Sequence, residues 1–185
     1  MLDLTSFSHG QIKSKLWLCQ TLGPLLPSEA RIYILGSWHN VLGSMLFLTN
    51  PDRIQSIVGI DANPEAIEIA EKITNYWYIE GKLNNICANA NTYPLEQNKE
   101  TVVINCSPEH FESNDWLNNI NPETLVCIQS SNIVTAEHPW YVTQPSATFE
   151  QFLENYPLSN IIFSGTQKIE YSHFSYERYM VIGYK

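Results

Sequence analysis

Four short runs constrain this chain more than anything else in it: RIYIL (31–35), SIVGID (56–61), TVVIN (101–105) and TLVCIQ (124–129). Each is nearly continuous in apolar character and rich in β-branched residues. A strand with one wet face alternates, so runs without alternation need cover on both faces. Helical segments between the runs can supply it. PEAIEIAEKITNYWYI (64–79) carries proline and an acid in its first turn and sets Ile67, Ala70, Ile73 and Trp77 on one side. Residues 41–49 read as a buried helix closed by Asn50-Pro51-Asp52. Residues 8–22 read as a helix capped by Ser8, with Ile12, Leu16, Cys19 and Leu22 as its apolar face and Gly23-Pro24 as its stop. A short helix is expected around 115–117, a third strand at 84–88, and a helix at 148–156 with Phe149, Phe152, Leu153 and Tyr156 inward. Such alternation gives a parallel sheet with helices on both faces. Runs 160–168 and 177–184 break the pattern, because their link is too short for a crossover helix and they must pair antiparallel. The expected architecture is α/β, in three layers. A seven-stranded, mostly parallel sheet ends in an antiparallel hairpin, and 185 residues make one domain.

Composition narrows the partners. The net charge is −9, from 10 basic and 19 acidic residues. Building a broad basic face for a phosphate backbone from that inventory is hard, so nucleic acid is disfavoured. No apolar run reaches the ~20 residues of a membrane span, and the first residues lack the order of a secretory signal, so a cytoplasmic protein is expected. Cys19, Cys87, Cys106 and Cys127 form no C-x-x-C pair and read as reduced thiols; no histidine spacing suggests a metal site.

Ligands of open α/β sheets bind outside the carboxyl ends of the strands, at the switch point of strand order. That rule selects Gly36, Ser37, Trp38, His39 and Asn40 after the first strand, and Asp61, Ala62 and Asn63 after the second. It also selects Asn89 after the third strand and Asn105, Cys106, Ser107 and Pro108 after the fourth. Ser130, Ser131, Asn132 and the turn Tyr171-Ser172-His173-Phe174 complete the rim. A strand-end carboxylate can accept two bonds from a ribose diol, and Asp61 is placed for that; it could otherwise cap the following helix. Gly36 permits a sharp turn and close approach, Asn40 tolerates left-handed backbone, and Trp38 either packs beneath the turn or lines a pocket.

ILGSWHNVLG and VGIDANPEAIEIAEK together resemble the class I S-adenosylmethionine-dependent methyltransferases, with similarity running from about residue 31 to 185. The resemblance implies a Rossmann-like core over 30–185, with residues 1–29 as an N-terminal helix and candidate lid. It also implies S-adenosylmethionine as cofactor and S-adenosylhomocysteine as product. Gly36, Ser37, Trp38, Asn40, Asp61, Ala62, Asn89 and Asn105 would then hold the cofactor: Asp61 at the ribose, Asn89 at the adenine edge, the segment after the fourth strand beside the methyl group. Of the usual three glycines in the first motif only Gly36 is in register, with Trp38 and Asn40 at the other two. A dinucleotide dehydrogenase would need G-x-G-x-x-G, and 36–41 reads GSWHNV.

Asn105-Cys106-Ser107-Pro108 is similar to the N-P-P-Y of amino-group methyltransferases, in which the asparagine and the adjacent carbonyl hold an amine. Asn105, Tyr171 and His173 are the candidate catalytic residues, His110 and His138 further bases, Glu109 an orienting acid for a basic acceptor, and Lys13 a partner for the cofactor's carboxylate. Trp140 and Tyr141 offer an aromatic wall for an acceptor, or an interface of a homo-oligomer. Three functions stay open. One is methyl transfer to a small-molecule or protein acceptor. Another is a binding or assembly protein that keeps the fold without turnover. The third is transfer of a different group from the same cofactor.

Overall fold

The computed structural model of the chain describes residues 4–134 and 141–185. Strands β1 (Ala30–Leu35), β2 (Ile54–Asp61), β3 (Leu83–Cys87), β4 (Thr101–Asn105), β5 (Leu125–Ser131), β6 (Asn160–Glu170) and β7 (Ser175–Tyr184) form one sheet. Its order is β3-β2-β1-β4-β5-β7-β6. The first five strands pair in parallel, and β7 runs antiparallel between β5 and β6, as the interrupted alternation requires. Every residue of β4 and β5 is buried, which is what their unbroken apolar character demands.

Helices α1 (His9–Leu22), α2 (Val41–Thr49) and α3 (Pro64–Ile79) cover one face, where Leu18, Leu22, Leu46, Phe47, Ile32, Ile104 and Met180 make the core. Helices α4 (Asp115–Asn118) and α5 (Phe149–Asn155) cover the other, around Trp116, Phe152, Tyr156, Tyr179 and Val103. No helix among the described residues is long and apolar enough to cross a membrane.

Two details of α1 depart from the sequence reading. Ser8 precedes the helix but its side chain makes no capping bond. Leu16 is 39% exposed, while Leu18 is fully buried and takes its place on the inward side. The helix meets both α2 and the sheet, so its inward side holds Ser14, Leu18 and Leu22, one turn apart, with Cys19 beside them as expected, and not Leu16. The start of α1 reaches the rim: Gly10 donates its N–H to the Tyr171 hydroxyl at 2.8 Å. Ahead of it, buried Ser6 places Oγ 3.0 Å from His39 Nδ1 in the turn after β1.

The strand order reverses at β1, with β2 on one side and β4 on the other. The carboxyl ends of β1, β2 and β4 therefore frame the crevice.

Candidate functional site

The turn between β1 and α2 folds onto a carboxylate. Gly36 (φ +64°), Trp38 (φ +49°) and Asn40 (φ +47°) are all left-handed, a conformation that favours glycine and is tolerated by asparagine. The turn carries the Trp38 N–H to Asp61 Oδ2 at 2.7 Å. Oδ1 of the same carboxylate accepts the Asn63 N–H at 2.9 Å. Each oxygen keeps a second lone pair. The capping role open to Asp61 belongs to its neighbour: Asn63 Oδ1 accepts the Glu65 and Ala66 N–H groups at the start of α3. Ala62 is exposed between the two. Trp38 is half-buried and packs on the His39 ring at 4.6 Å between centroids.

Asn40 is fully buried and engaged at both ends. Its Oδ1 accepts the Gly43 N–H at 3.2 Å, and its Nδ2 donates to Asn85 Oδ1 at 2.7 Å. Asn85 donates on to Thr74 Oγ1 at 2.8 Å, and Thr74 to the Ala70 carbonyl at 2.8 Å. Room for this chain of bonds comes from Gly59 in β2, where a Cβ would stand 2.4 Å from Asn40 Nδ2. The side chain at 40 thus ties α2, β2, β3 and α3 together. Asn89, after β3, is exposed and turns its Oδ1 to the Asn91 N–H at 2.9 Å.

At the end of β4, Asn105 is fully buried and its Oδ1 accepts the Ser107 N–H at 3.0 Å. Its Nδ2 has no partner among the described residues, and neither has the buried Ser37 Oγ. The Cys106 carbonyl accepts Nη2 of Arg178, on β7, at 2.8 Å. Arg178 Nη1 lies 3.7 Å from Glu109 Oε1, and both side chains are largely buried. Arg178 Nε and Glu109 Oε2 are unpartnered. Lys15 of α1 is bonded to Gln11 Oε1 of the same helix. Burial pulls its ammonium down to about 8, and the nearby Arg178 guanidinium pulls the same way. Burial raises the Cys106 thiol, against the pull of Lys15 and Arg178.

The remaining candidates divide clearly. The Tyr171 hydroxyl accepts from Gly10, and its ring stacks on Phe174 at 4.6 Å. His173 is exposed on the same turn. His110 Nδ1 meets the Tyr141 carbonyl at 2.7 Å. Lys13 donates to the Lys168 carbonyl on β6 at 3.0 Å instead of pointing to the crevice. Tyr141 is 67% exposed, while His138 and Trp140 lie outside the described residues. No cluster of metal-binding side chains occurs among the described residues.

Lys15, Arg178 and Phe111 were not singled out by sequence. Arg178 had a signal: it shares strand parity with Met180 and Ile182, an inward position. Lys15 had a weaker one, lying one turn before Cys19 on the buried side of α1. Phe111 had none. A Cβ on Gly36 would stand 2.9 Å from Ser107 Oγ and 3.0 Å from Phe111 Cε1, so the loop after β4 rests directly on the glycine. That loop is braced from outside: Glu109 O accepts the N–H groups of Thr143 (2.8 Å) and Gln144 (3.1 Å), and Phe111 O accepts Thr143 Oγ1 at 2.6 Å.

No family model matches the sequence, and no curated protein matches it. Solved structures do. The N-methyltransferase NodS from Bradyrhizobium japonicum superposes with a TM-score of 0.67 at 10% identity, over 100% of both chains. A SAM-dependent methyltransferase from Aquifex aeolicus gives 0.62 at 13%, over 98% of this chain and 99% of that one. TrmK of M. capricolum, solved with S-adenosyl-homocysteine, gives 0.54 at 16%, over 89% and 67%. The fold is the class I methyltransferase fold. At these identities the likeness shows the fold alone, and the altered glycine turn sits inside that fold.

Proposed function

We propose that the protein transfers a methyl group from S-adenosylmethionine to a small-molecule or protein acceptor. The observation that carries this is Asp61. At the end of β2, beside the switch point, its carboxylate is oriented by two backbone N–H groups and has lone pairs left for a ribose diol. Asn89 follows β3, the segment that the resemblance would set at the adenine edge, and Ser37 Oγ after β1 and Asn105 Nδ2 at the end of β4 are buried polar atoms without a partner among the described residues. These residues fit the cofactor, provided the Phe111 ring turns off Gly36. When bound, the sulfonium supplies an electrophilic methyl; this chain's part is to orient both partners and exclude water. The acidic balance of −9 favours a small molecule or protein over nucleic acid as acceptor.

Titration calorimetry with S-adenosylmethionine and S-adenosylhomocysteine tests the reading. Asp61→Asn keeps the shape and one acceptor but removes the charge. It should weaken both ligands by roughly 30- to 150-fold, the ~2–3 kcal/mol between charged and neutral bonds. Phe111→Ala should bind both more tightly than wild type, because no ring has to move. A second reading rests on the same closure: Ser107 and Phe111 against Gly36 suit a protein that keeps the fold without the cofactor. It wins if folded wild type and Phe111→Ala both fail to bind either ligand.

A further inference from the structure

Residues 5–10 form a strap that is tied down at both ends. At one end Ser6 is buried, and its Oγ lies 3.0 Å from Nδ1 of the equally buried His39 in the turn after β1. At the other end the Gly10 N–H meets the Tyr171 hydroxyl at 2.8 Å, and the His9 ring stands edge-on to the Tyr171 ring at 5.8 Å. A Cβ on Gly10 would lie 2.4 Å from the Tyr176 hydroxyl and 2.7 Å from that of Tyr171, so the strap rests on β7 and the hairpin turn without room for a methyl group. Ser6 and Gly10 are buried, whereas Thr5, Phe7 and His9 are exposed. Strand order sets what lies between the two anchors. Only β4 and β5 separate β1 from β7, so the anchors stand about 14 Å apart, three strand spacings. The four residue steps from Ser6 to Gly10 reach at most about 13 Å, and the His39 and Tyr171 side chains supply the rest. The strap therefore crosses the carboxyl ends of β4 and β5, where the methyl-transfer reading puts the acceptor.

The loop after β4 is covered from outside as well. Glu109 O accepts the N–H groups of Thr143 and Gln144, and His110 Nδ1 meets the Tyr141 carbonyl at 2.7 Å. We propose, building on the methyl-transfer reading, that the acceptor is a free small molecule enclosed beneath the strap, and not a residue of a protein chain. A small molecule needs the strap to lift once and is then sealed in, away from water. A side chain attached to a longer chain would hold the strap open for as long as it stayed bound. The inner anchor also touches the cofactor turn: His39 packs on Trp38, whose N–H is bonded to Asp61. The strap thus closes on the same turn that orients the ribose carboxylate.

Two analogues of S-adenosylmethionine, with nitrogen in place of the sulfonium sulfur, test this. One carries a methyl group on that nitrogen. The other carries a long polyethylene glycol chain, which has to leave by the acceptor side. Both are titrated calorimetrically into the full chain, beside S-adenosylhomocysteine. The glycol analogue should bind roughly tenfold or more weakly than the methyl analogue, because it fits only the fraction of chains whose strap is lifted. Gly10→Ala pushes the strap off both hydroxyls and should recover most of that loss. Ser6→Ala releases the other end and serves as the second variant. Equal affinity for the two analogues in the wild type overturns the proposal, since the acceptor side is then open to a protein chain. That comparison needs no variant to fold. A deficit that neither variant relieves overturns it too, because the strap is then not what excludes the chain. If neither S-adenosylhomocysteine nor the methyl analogue binds, the methyl-transfer reading itself fails and the proposal falls with it, an outcome distinct from the other two.

Discussion

Gly59→Ala is expected to melt roughly 6–12 °C below the wild type, an effect of about 3 kcal/mol in a chain of this size. The new methyl would stand 2.4 Å from Asn40 Nδ2 and 2.9 Å from Asn85 Oδ1. Neither side chain can swing away cheaply. Asn40 is fully buried, caps α2 and is bonded to Asn85, which is itself bonded to Thr74. Displacing Asn40 would orphan the Gly43 N–H and break the bridge to β3. The control is Asn40→Gly. Glycine accepts the left-handed backbone at 40 and serves as a helix cap at a cost of a few tenths of a kcal/mol. In that background Gly59→Ala should cost less than about 1 kcal/mol, a coupling typical of side chains in contact. Equal cost of Gly59→Ala in both backgrounds, by urea denaturation, would show that the strain lies elsewhere.

Lys15→Met should stabilise the protein by about 3 kcal/mol at pH 7, the equivalent of a lysine displaced from 10.5 to about 8. Below pH 8 the folded and unfolded chains both carry the proton, and the full cost of burying the ammonium is felt. Between pH 8 and 10.5 the unfolded chain holds a proton that the folded one has dropped, so wild-type stability gains on the variant as pH rises. Above that window the amine is neutral in both states and the advantage of methionine is gone. Denaturation of both proteins at pH 6.5 and pH 10, compared as differences, isolates this group from the tyrosines and thiols that also titrate there. A flat difference would mean that the ammonium is solvated.

The middle of the sheet was legible because β4 and β5 are buried on both faces and therefore read as unbroken apolar runs. The reversed hairpin was legible because no helix fits between Glu170 and Ser175. Asp61 stood out for the same local reason, as a charge ending such a run. What the sequence hid were meetings across the fold. Asn40 in place of a glycine made the first turn look defective, and only the register of β2 beside it shows that Gly59 supplies the missing space. On α1, Cys19 and Leu22 are buried as expected, but Leu16 is exposed and Leu18 is buried in its stead, because the two are equally apolar and packing against both α2 and the sheet selects Leu18. Lys15 and Arg178 lie 163 positions apart, and no spacing rule joins residues that meet through a helix laid on an antiparallel strand.

The bracing of the loop after β4 ties two affinities together. Phe111, against Gly36, and Glu109, against Arg178, sit two residues apart, and Thr143 and Gln144 hold both carbonyls. A ligand that moves the Phe111 ring cannot leave the surroundings of Arg178 as they were. A ligand seated against Gly36 and one seated beside Arg178 would therefore share a coupling free energy, and such coupling is reciprocal. Whatever factor S-adenosylhomocysteine applied to the affinity for an acceptor, the acceptor would apply to S-adenosylhomocysteine.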